Sequence, residues 1–312
     1  MDHYPVPTLA SINHLVGNTP LLRLRRSNRY PNVEIYAKLE YFNPGGSVKD
    51  RPALQMILDA QESGRLTPGK TLIDATSGNT GVAYAWIGAA LGIPVALVVP
   101  ENVSLARKQV ASAFGAQLIY SDPMEGSDGA IRHVRRLVER DPERYFYSDQ
   151  YSNESNPRAH YLGTGPEIWE QTEGRITHFV CGLGTGGTIM GTGRRLKECD
   201  RRIQIIGLEP LESLHGLEGL KHMPTSMIPR IYREDELDEK LSISTESGWD
   251  ATERLLQDEG LLVGHSSGAA LVGALEIAHR LAQQDKPGVI VTLFPDRGER
   301  YLDAVRRGAK PR

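Results

Sequence analysis

Short runs of apolar, β-branched residues alternate along the chain with longer stretches in which apolar residues recur every three or four positions. The runs predict strands, and the stretches predict amphipathic helices. Strands that are apolar throughout and alternate with helices indicate parallel sheets covered on both faces. Strands are expected at 33–40, 71–76, 94–100, 116–121, 177–184, 203–210 and 289–295, and helices at 51–63, 79–91, 104–114, 126–140, 188–199, 248–259 and 268–284.

The alternation falls into two series that meet near residues 145–151. We therefore predict an α/β protein of two three-layer domains with mainly parallel sheets and a cleft between them. The smaller domain is expected at 35–147, and the larger one is formed by 1–34 together with 148–312. The stretch 211–240 has poor periodicity and is long for a loop, and long irregular stretches in compact domains are usually functional or mobile.

Charge and cysteine content exclude several classes of protein. The 36 Lys and Arg residues nearly balance the 39 Asp and Glu residues, for a net charge of −3, which argues against a nucleic-acid surface. Two cysteines are too few for a disulfide framework or a cysteine-rich zinc site, so we expect no metal. The sequence shows neither a signal peptide nor an apolar run of about 18 residues, so we expect a cytoplasmic protein that binds no membrane.

Glycine makes up 32 of the 312 residues, roughly a tenth against a usual share of about 7%. The excess is concentrated where predicted strands give way to helices, at 43–52, 76–81, 182–188 and 264–270. Because glycine lets the backbone approach another group closely, these clusters predict a ligand that is held by several loops.

Lys49 lies at one of these junctions, at the start of a predicted helix. The positive end of the helix dipole is expected to lower the pKa of its amine. A lysine of lowered pKa suits Schiff-base formation with an aldehyde cofactor. The alternative for this residue alone is a solvated lysine in a polar turn.

Two other junctions suit anions. The hydroxyl groups, amide and free N–H groups of 76–81 form a good carboxylate cradle, although a capped helix start is the alternative. The segment 182–188 fits the dinucleotide fingerprint G-x-G-x-x-G, but Glu209 lies further along than the acid that this fingerprint expects about 20 residues on. A phosphate cup at a helix N-terminus is the better interpretation, with an NAD-dependent oxidoreductase as a remote alternative.

A family resemblance combines these junctions. Segments typical of the cysteine synthase family occur in the family's order and approximate spacing: GNTPLLRL, AKLEYFNPGGSVKDRPA, TSGNTG, GLGTGGT, GHSSGAA and FPDRGERYL. The chain thus resembles the fold-type II pyridoxal-phosphate enzymes, also called the tryptophan synthase β family, over about residues 15–302. The resemblance implies pyridoxal 5′-phosphate as cofactor, bound in the cleft between the two domains.

The resemblance also implies roles for individual residues. Lys49 would hold the cofactor as an internal aldimine and would then remove the α-proton of the substrate. Asn79 would bind the cofactor's 3-oxygen, and Ser266 would face its pyridine nitrogen. The residues that would hold the cofactor's phosphate are Gly184, Thr185, Gly186, Gly187 and Thr188, and those that would hold the substrate carboxylate are Thr76, Ser77, Gly78, Thr80 and Gln150.

The activity that the resemblance implies is a β-replacement that makes L-cysteine from sulfide and an activated serine, by way of an aminoacrylate intermediate. The donor is O-acetylserine or O-phosphoserine. Lys221 falls about where relatives that use O-phosphoserine carry a cation, but its amine could instead lie in solvent. Condensation of serine with homocysteine to cystathionine is the alternative activity, and serine or threonine dehydration ranks lower. Small-molecule substrates and a homodimer are expected.

Two residues have competing interpretations. His265 stands where the family commonly has an aliphatic residue, and we interpret it as a partly buried histidine rather than a titratable neighbour of the cofactor. Cys181 is interpreted as a small apolar strand residue rather than a nucleophile, because a free cysteine packs like a small hydrophobic side chain.

Overall fold

The computed structural model describes residues 12–76, 78–101 and 105–304. The strands of this part are β1 (Leu21–Arg23), β2 (Val33–Leu39), β3 (Thr71–Ala75), β4 (Val95–Pro100), β5 (Gln117–Ser121), β6 (Tyr145–Tyr147), β7 (His178–Gly182), β8 (Gln204–Pro210), β9 (Glu239–Ile243) and β10 (Gly288–Phe294). The helices are α1 (Asp50–Glu62), α2 (Asn79–Leu91), α3 (Leu105–Ala113), α4 (Gly126–Arg140), α5 (Ser155–Ala159), α6 (Gly165–Gln171), α7 (Gly187–Cys199), α8 (Thr245–Arg254) and α9 (His265–Gln283).

The strands form two sheets. The larger sheet has the order β1-β2-β10-β7-β8-β9, and the smaller has the order β5-β4-β3-β6. Strand β1 pairs antiparallel with β2, and the remaining neighbours pair in parallel. Helices cover both faces of each sheet, so β4 and β10 are buried along their whole length. The predicted parallel α/β architecture is confirmed.

The cores explain which helix lies on which face. In the larger sheet, α8 and α9 pack on one face and α6 and α7 on the other. In the smaller sheet, α1, α2 and α3 contribute to the core on one face and α4 to the core on the other. Adjacent residues of β3 show the division, since Leu72 joins the first of these cores and Ile73 the second. No helix in the described ranges is long and apolar enough to cross a membrane.

Strand β2 lies elsewhere than the predicted domain limits imply. A smaller domain that begins at residue 35 would contain most of β2, but this strand pairs with β1 and β10 in the larger sheet. An apolar run reveals that a strand is buried but does not reveal its neighbours, which explains the difference. The domain limits themselves stay a prediction.

The parallel strands determine where a site can form. β3, β7 and β10 end at Ala75, Gly182 and Phe294, and residues directly beyond these ends line one shared cavity. Ligands of parallel α/β sheets bind outside the carboxyl ends of the strands. The two sheets therefore present their binding edges to a single cavity.

Candidate active site

A cavity of about 440 Å³ lies at these strand ends, within the size range of small-molecule sites. Residues from both sheets line it, and most of the predicted site residues are among them. Those that line the cavity are Lys49, Thr76, Gly78, Asn79, Thr80, Gln150, Gly184, Thr185, Gly186, Thr188, Lys221 and Ser266. Gly187 is the buried first residue of α7, between two lining residues, and Ser77 lies outside the described residues.

Lys49 precedes the first residue of α1 and lies in the cavity wall. Its backbone N–H donates to Ser47 Oγ at 3.2 Å, and its carbonyl accepts from Ala53 N at 3.0 Å. Burial lowers the pKa of its amine, and electrostatic interactions with the acidic groups of Cys181 and Asp296 only partly oppose this. The predicted direction of the pKa shift is confirmed, with burial as its largest cause. A less protonated amine is the nucleophilic form.

The glycine positions of the loop before α7 cannot accept a larger residue. Gly186 has a φ of +87°, in the left-handed region that favours glycine. A Cβ atom on Gly184 would lie 2.4 Å from the carbonyl oxygen of Gly219, and one on Gly187 would lie 1.9 Å from Asn156 Oδ1. The backbone of this loop therefore packs tightly from behind while it lines the cavity at the N-terminus of α7. That arrangement suits a phosphate group.

Two threonine hydroxyl groups complete this loop, and each has a partner that the sequence did not reveal. Thr185 Oγ1 accepts from Asn156 Nδ2 at 3.2 Å. Thr188 Oγ1 lies 3.3 Å from His160 Nε2, and the other ring nitrogen of His160 lies 2.9 Å from Thr164 Oγ1. Burial lowers the pKa of His160 well below its usual range, which favours the neutral ring. Only the polar character of segment 153–160 hinted at these contacts.

A second polar cluster surrounds Gln150, which is 3% exposed. Thr80 Oγ1 donates to Gln150 Oε1 at 2.9 Å, and Gln150 Nε2 donates to the carbonyl oxygen of Ala75 at 3.3 Å. Asn156 Nδ2 donates to the carbonyl oxygen of Gln150 at 2.8 Å. An amide nitrogen carries two hydrogens, so one N–H of Gln150 remains for an acceptor in the cavity. The cluster lies beside the N-terminus of α2, where an anion is favoured.

The segment that follows β10 binds both polar atoms of the Asn79 side-chain amide. Its Nδ2 donates to Asp296 Oδ2 at 2.6 Å, and its Oδ1 accepts from Arg300 Nη1. Asp296 also accepts from the Tyr301 hydroxyl, and burial raises the pKa of this carboxyl. The motif FPDRGERYL pointed to this segment, but its contact with Asn79 depends on the fold. The contact of Asn79 with the cofactor's 3-oxygen stays a prediction.

The start of α9 forms another part of the wall. Ser266, in the first turn of this helix, is buried and lines the cavity. The neighbouring His265 stacks on Trp249 with ring centroids 4.2 Å apart and meets Tyr301 edge-on at 5.5 Å. Burial lowers the pKa of His265. The interpretation of His265 as a buried histidine is therefore confirmed.

Lys221 lies in the cavity wall. Its backbone N–H donates to the carbonyl oxygen of Leu183 at 2.8 Å, and its ammonium nitrogen lies 5.0 Å from the centre of the Tyr151 ring. Burial lowers the pKa of the amine, against an opposing charge at Asp128. A partly buried cation with an aromatic contact can meet an anion in the cavity.

Cys181 is a buried residue of β7, as predicted. Burial raises the pKa of its thiol to about 12, and the charge of Lys49 only partly opposes this. The thiolate, which is the nucleophilic form, is therefore disfavoured at neutral pH.

The cavity fits a ligand that carries both an aldehyde and a phosphate. Lys49 offers an amine whose pKa is lowered by burial, and loop 184–188 offers a helix N-terminus whose glycines leave no room for larger side chains. Both features line one cavity of suitable size. The residues present therefore fit pyridoxal phosphate.

Comparison with known proteins agrees with the fit of this cavity to pyridoxal phosphate. The pyridoxal-phosphate dependent enzyme family matches residues 12–296. The cysteine synthase of Aquifex aeolicus is 55% identical over 295 residues, which cover 94% of this chain and 90% of that protein. The crystal structure of a cysteine synthase from Entamoeba histolytica matches with a TM-score of 0.93 at 34% identity, over 100% of this chain and 95% of that one. An O-acetylserine dependent cystathionine β-synthase from Helicobacter pylori matches with a TM-score of 0.87 at 37% identity, over 96% and 98% of the two chains.

Proposed function

The chain belongs to the cysteine synthase family of pyridoxal-phosphate-dependent enzymes, and we propose that it makes L-cysteine by β-replacement. The β-carbon of an O-activated serine loses its oxygen substituent, as acetate or phosphate, and gains the sulfur of sulfide. The observation that carries the proposal is the position of Lys49, in one cavity with loop 184–188 and Gln150. The nicotinamide alternative is abandoned, because the family match includes the glycine loop on which it rested.

The residues that would hold the cofactor are those predicted. When bound, pyridoxal phosphate supplies an aldehyde that amines can join and a ring that takes up electrons released at the substrate's α-carbon. Lys49 would hold the aldehyde carbon, and loop 184–188 would hold the phosphate. Asn79 and Ser266 would contact the ring.

Lys49 would also move a proton. Its amine has a pKa lowered by burial, so it can accept the proton of the substrate's α-carbon and later return a proton to the product. A positioned base of this kind contributes on the order of 10²–10⁴ in rate.

The substrate carboxylate would lie at the N-terminus of α2. We assign its contacts to Thr76, Gly78, Thr80 and Gln150, together with Ser77 from the sequence. Gln150 is the best supported of these, because the protein fixes its amide and leaves one N–H for an acceptor. These contacts would orient the α-carbon toward Lys49.

Lys221 favours O-phosphoserine as a second candidate donor beside O-acetylserine. Its ammonium group lies in the cavity wall near Tyr151. A departing phosphate dianion gains a charge-assisted contact there, whereas the neutral ester of O-acetylserine gains much less. The assignment agrees with the irregular stretch 211–240, part of which lines the cavity through Glu218–Lys221.

Product identity tests the proposed activity. The cofactor-loaded enzyme is mixed with O-acetylserine, O-phosphoserine or serine, each with sulfide or homocysteine, and the products are identified by mass spectrometry. We expect L-cysteine from an O-activated serine and sulfide. Cystathionine as the main product, with little cysteine, would overturn the proposal in favour of the activity named for the Helicobacter pylori relative.

The proposal includes an assembly and a compartment. We expect a homodimer in the cytoplasm that acts on small molecules and binds no nucleic acid. Light scattering of the purified enzyme measures the molar mass, for which twice the 34.4 kDa of one chain is expected. A monomer at enzyme-assay concentrations would contradict the dimer without affecting the proposed reaction.

A further inference from the structure

A buried polar network lies directly behind Gln150, outside the cavity wall. Asp74, Tyr84 and Ser148 are each at most 1% exposed. The Tyr84 hydroxyl lies 2.9 Å from Asp74 Oδ2 and 2.8 Å from Ser148 Oγ. The three residues belong to β3, to α2 and to the segment after β6. The network therefore joins three elements of the smaller sheet at one point.

This network reaches Gln150 through its backbone. Gln150 N donates to Asp74 Oδ2 at 3.3 Å, and Ala75 N donates to Asp74 Oδ1 at 2.8 Å. The side chain of Gln150 donates to the carbonyl oxygen of Ala75. Main chain and side chain of Gln150 are thus both bound to the last two residues of β3.

Helix α2 holds Gln150 in two ways. Thr80 and Tyr84 are four positions apart, so their side chains lie on the same face of the helix. Thr80 binds the Gln150 side chain directly, and Tyr84 binds the carboxylate that receives the Gln150 N–H. The same helix begins at Asn79, at the cavity. The orientation of Gln150 is thereby coupled to the helix that borders the carboxylate cradle.

A network of this kind is costly to keep in a core. Apolar side chains of α1, α2 and β4 pack around Tyr84, and a carboxyl group placed among them loses its hydration. Apolar residues of similar volume often stabilise a core as well or better. The presence of Asp74 at this place is therefore explained better by the geometry it imposes on Gln150 than by stability.

We propose that Asp74 and Tyr84 are positioning residues for recognition of the substrate carboxylate. They fix Gln150 so that its remaining amide N–H stays available to the carboxylate of the amino-acid donor. This inference rests on the proposed function, in which Gln150 contacts that carboxylate.

Tyr84→Phe tests the inference, because it removes only the hydroxyl group. We expect the KM for O-acetylserine to rise by about tenfold, as for a weakened hydrogen bond to a charged group, with kcat within about twofold of the parent value. Tyr36→Phe is the matched control, since it removes a hydroxyl that binds Glu34 away from the cavity. We expect no change in KM for the control.

A comparison of two ligands isolates the contribution of the substrate carboxylate to binding. L-Serine and ethanolamine differ by that group alone, and absorbance titration of the cofactor-loaded enzyme measures their dissociation constants. Tyr84→Phe and Asp74→Asn are each expected to raise the dissociation constant of L-serine by about tenfold and to leave that of ethanolamine unchanged. Equal weakening of both ligands would overturn the inference, as would unchanged binding of L-serine by a folded Tyr84→Phe enzyme.

Gln150→Ala distinguishes a failure of this inference from a failure of the proposed carboxylate site. If this variant loses affinity for L-serine alone while Tyr84→Phe does not, the inference fails and the proposed site stands. If Gln150→Ala weakens the binding of neither ligand, the assignment of Gln150 to the carboxylate is wrong, and the inference is wrong as well. Carboxylate-specific losses in both variants would support both.

Discussion

Asn79 and Asp296 are joined by a hydrogen bond of 2.6 Å although 217 positions separate them in the chain. Asn79 begins α2, which packs on the smaller sheet, and Asp296 follows β10, a strand of the larger sheet. Arg300 and Tyr301 bind the two partners from the same segment. The bond therefore joins the two sheets at the cavity, where their relative placement decides whether the site residues meet.

Lys49→Ala is expected to abolish turnover, with a loss of at least about a thousandfold, since one amine serves for both cofactor attachment and proton transfer. Borohydride reduction followed by mass spectrometry of peptides measures the attachment. The parent enzyme is expected to carry the reduced cofactor on the peptide that contains Lys49, and the variant is expected to carry none. Attachment at another lysine with near-normal turnover would contradict the assignment.

The double variant Thr185→Val, Thr188→Val is expected to lose cofactor more readily. Each hydroxyl that binds a phosphate contributes on the order of 1.5–3 kcal/mol. Dialysis followed by absorbance measurement of the retained cofactor gives the dissociation constant. Thr172→Val is the control, because its hydroxyl binds the carbonyl oxygen of Ile168 away from the cavity. Equal retention by the double variant and the parent would argue against the phosphate loop.

Lys221→Ala is expected to lower kcat/KM for O-phosphoserine by roughly tenfold to a hundredfold, because a contact between the ammonium and the leaving phosphate is worth about 1.5–3 kcal/mol. O-Acetylserine should be nearly unaffected. Lys221→Met keeps most of the packing on Tyr151 and loses only the charge, so it should reproduce the same difference. Similar losses with both donors would instead mean that Lys221 supports the cavity wall in general.

Asp74 is expected to make the folded protein less stable as the pH rises from about 4 to about 7. Burial raises the pKa of this carboxyl from 3.8 to about 7, so the folded chain binds the proton more tightly in that range. The free energy of unfolding then falls with pH, with a slope approaching about 1.4 kcal/mol per pH unit. Asp50, with a pKa raised to about 6 by burial, acts with the same sign.

Urea unfolding at several pH values measures this dependence. Asp74→Asn cannot ionise, so its stability should depend less on pH between 4 and 7, while the contribution of Asp50 remains. A variant whose stability changes with pH as much as that of the parent would show that Asp74 does not titrate in this window.

Glu167 is expected to act in the opposite direction. Burial favours its protonated form, but hydrogen bonds and charge from Arg51 and Lys38 outweigh burial and lower its pKa to about 2. The stability that these ion pairs add is present above about pH 4.5 and is lost as the pH falls toward 2. Glu167→Gln should be less stable than the parent at pH 7, and the difference should shrink on acidification. A constant difference across that range would contradict the assignment.

Much of the fold could be predicted from the sequence. Helices α2 and α4 begin and end at the predicted residues, since each has a clear preceding turn and a defined end. Gly92, for example, ends α2 with a left-handed backbone. Strands β1, β6 and β9 were missed, because β1 and β6 have only three residues each and β9 lies half exposed at a sheet edge beside a charged run.

The site was predictable only where it depends on local sequence. Lys49 and loop 184–188 lie within glycine-rich junctions whose composition already indicates a ligand. Asn156 and His160 bind the loop across 29 and 28 positions, and Asp296 binds Asn79 across 217. No periodicity or spacing indicates such pairs, because they are determined by the meeting of strand ends in the folded chain.

The single amide of Asn156 serves two parts of the site. Its Nδ2 donates to the carbonyl oxygen of Gln150 at 2.8 Å and to Thr185 Oγ1 at 3.2 Å. A substitution that removes the Asn156 amide therefore takes a contact from the backbone of Gln150 and from the side chain of Thr185 at once. Affinity for the amino acid and affinity for the cofactor are thus linked through one side chain, and loss of the Asn156 amide is expected to lower both.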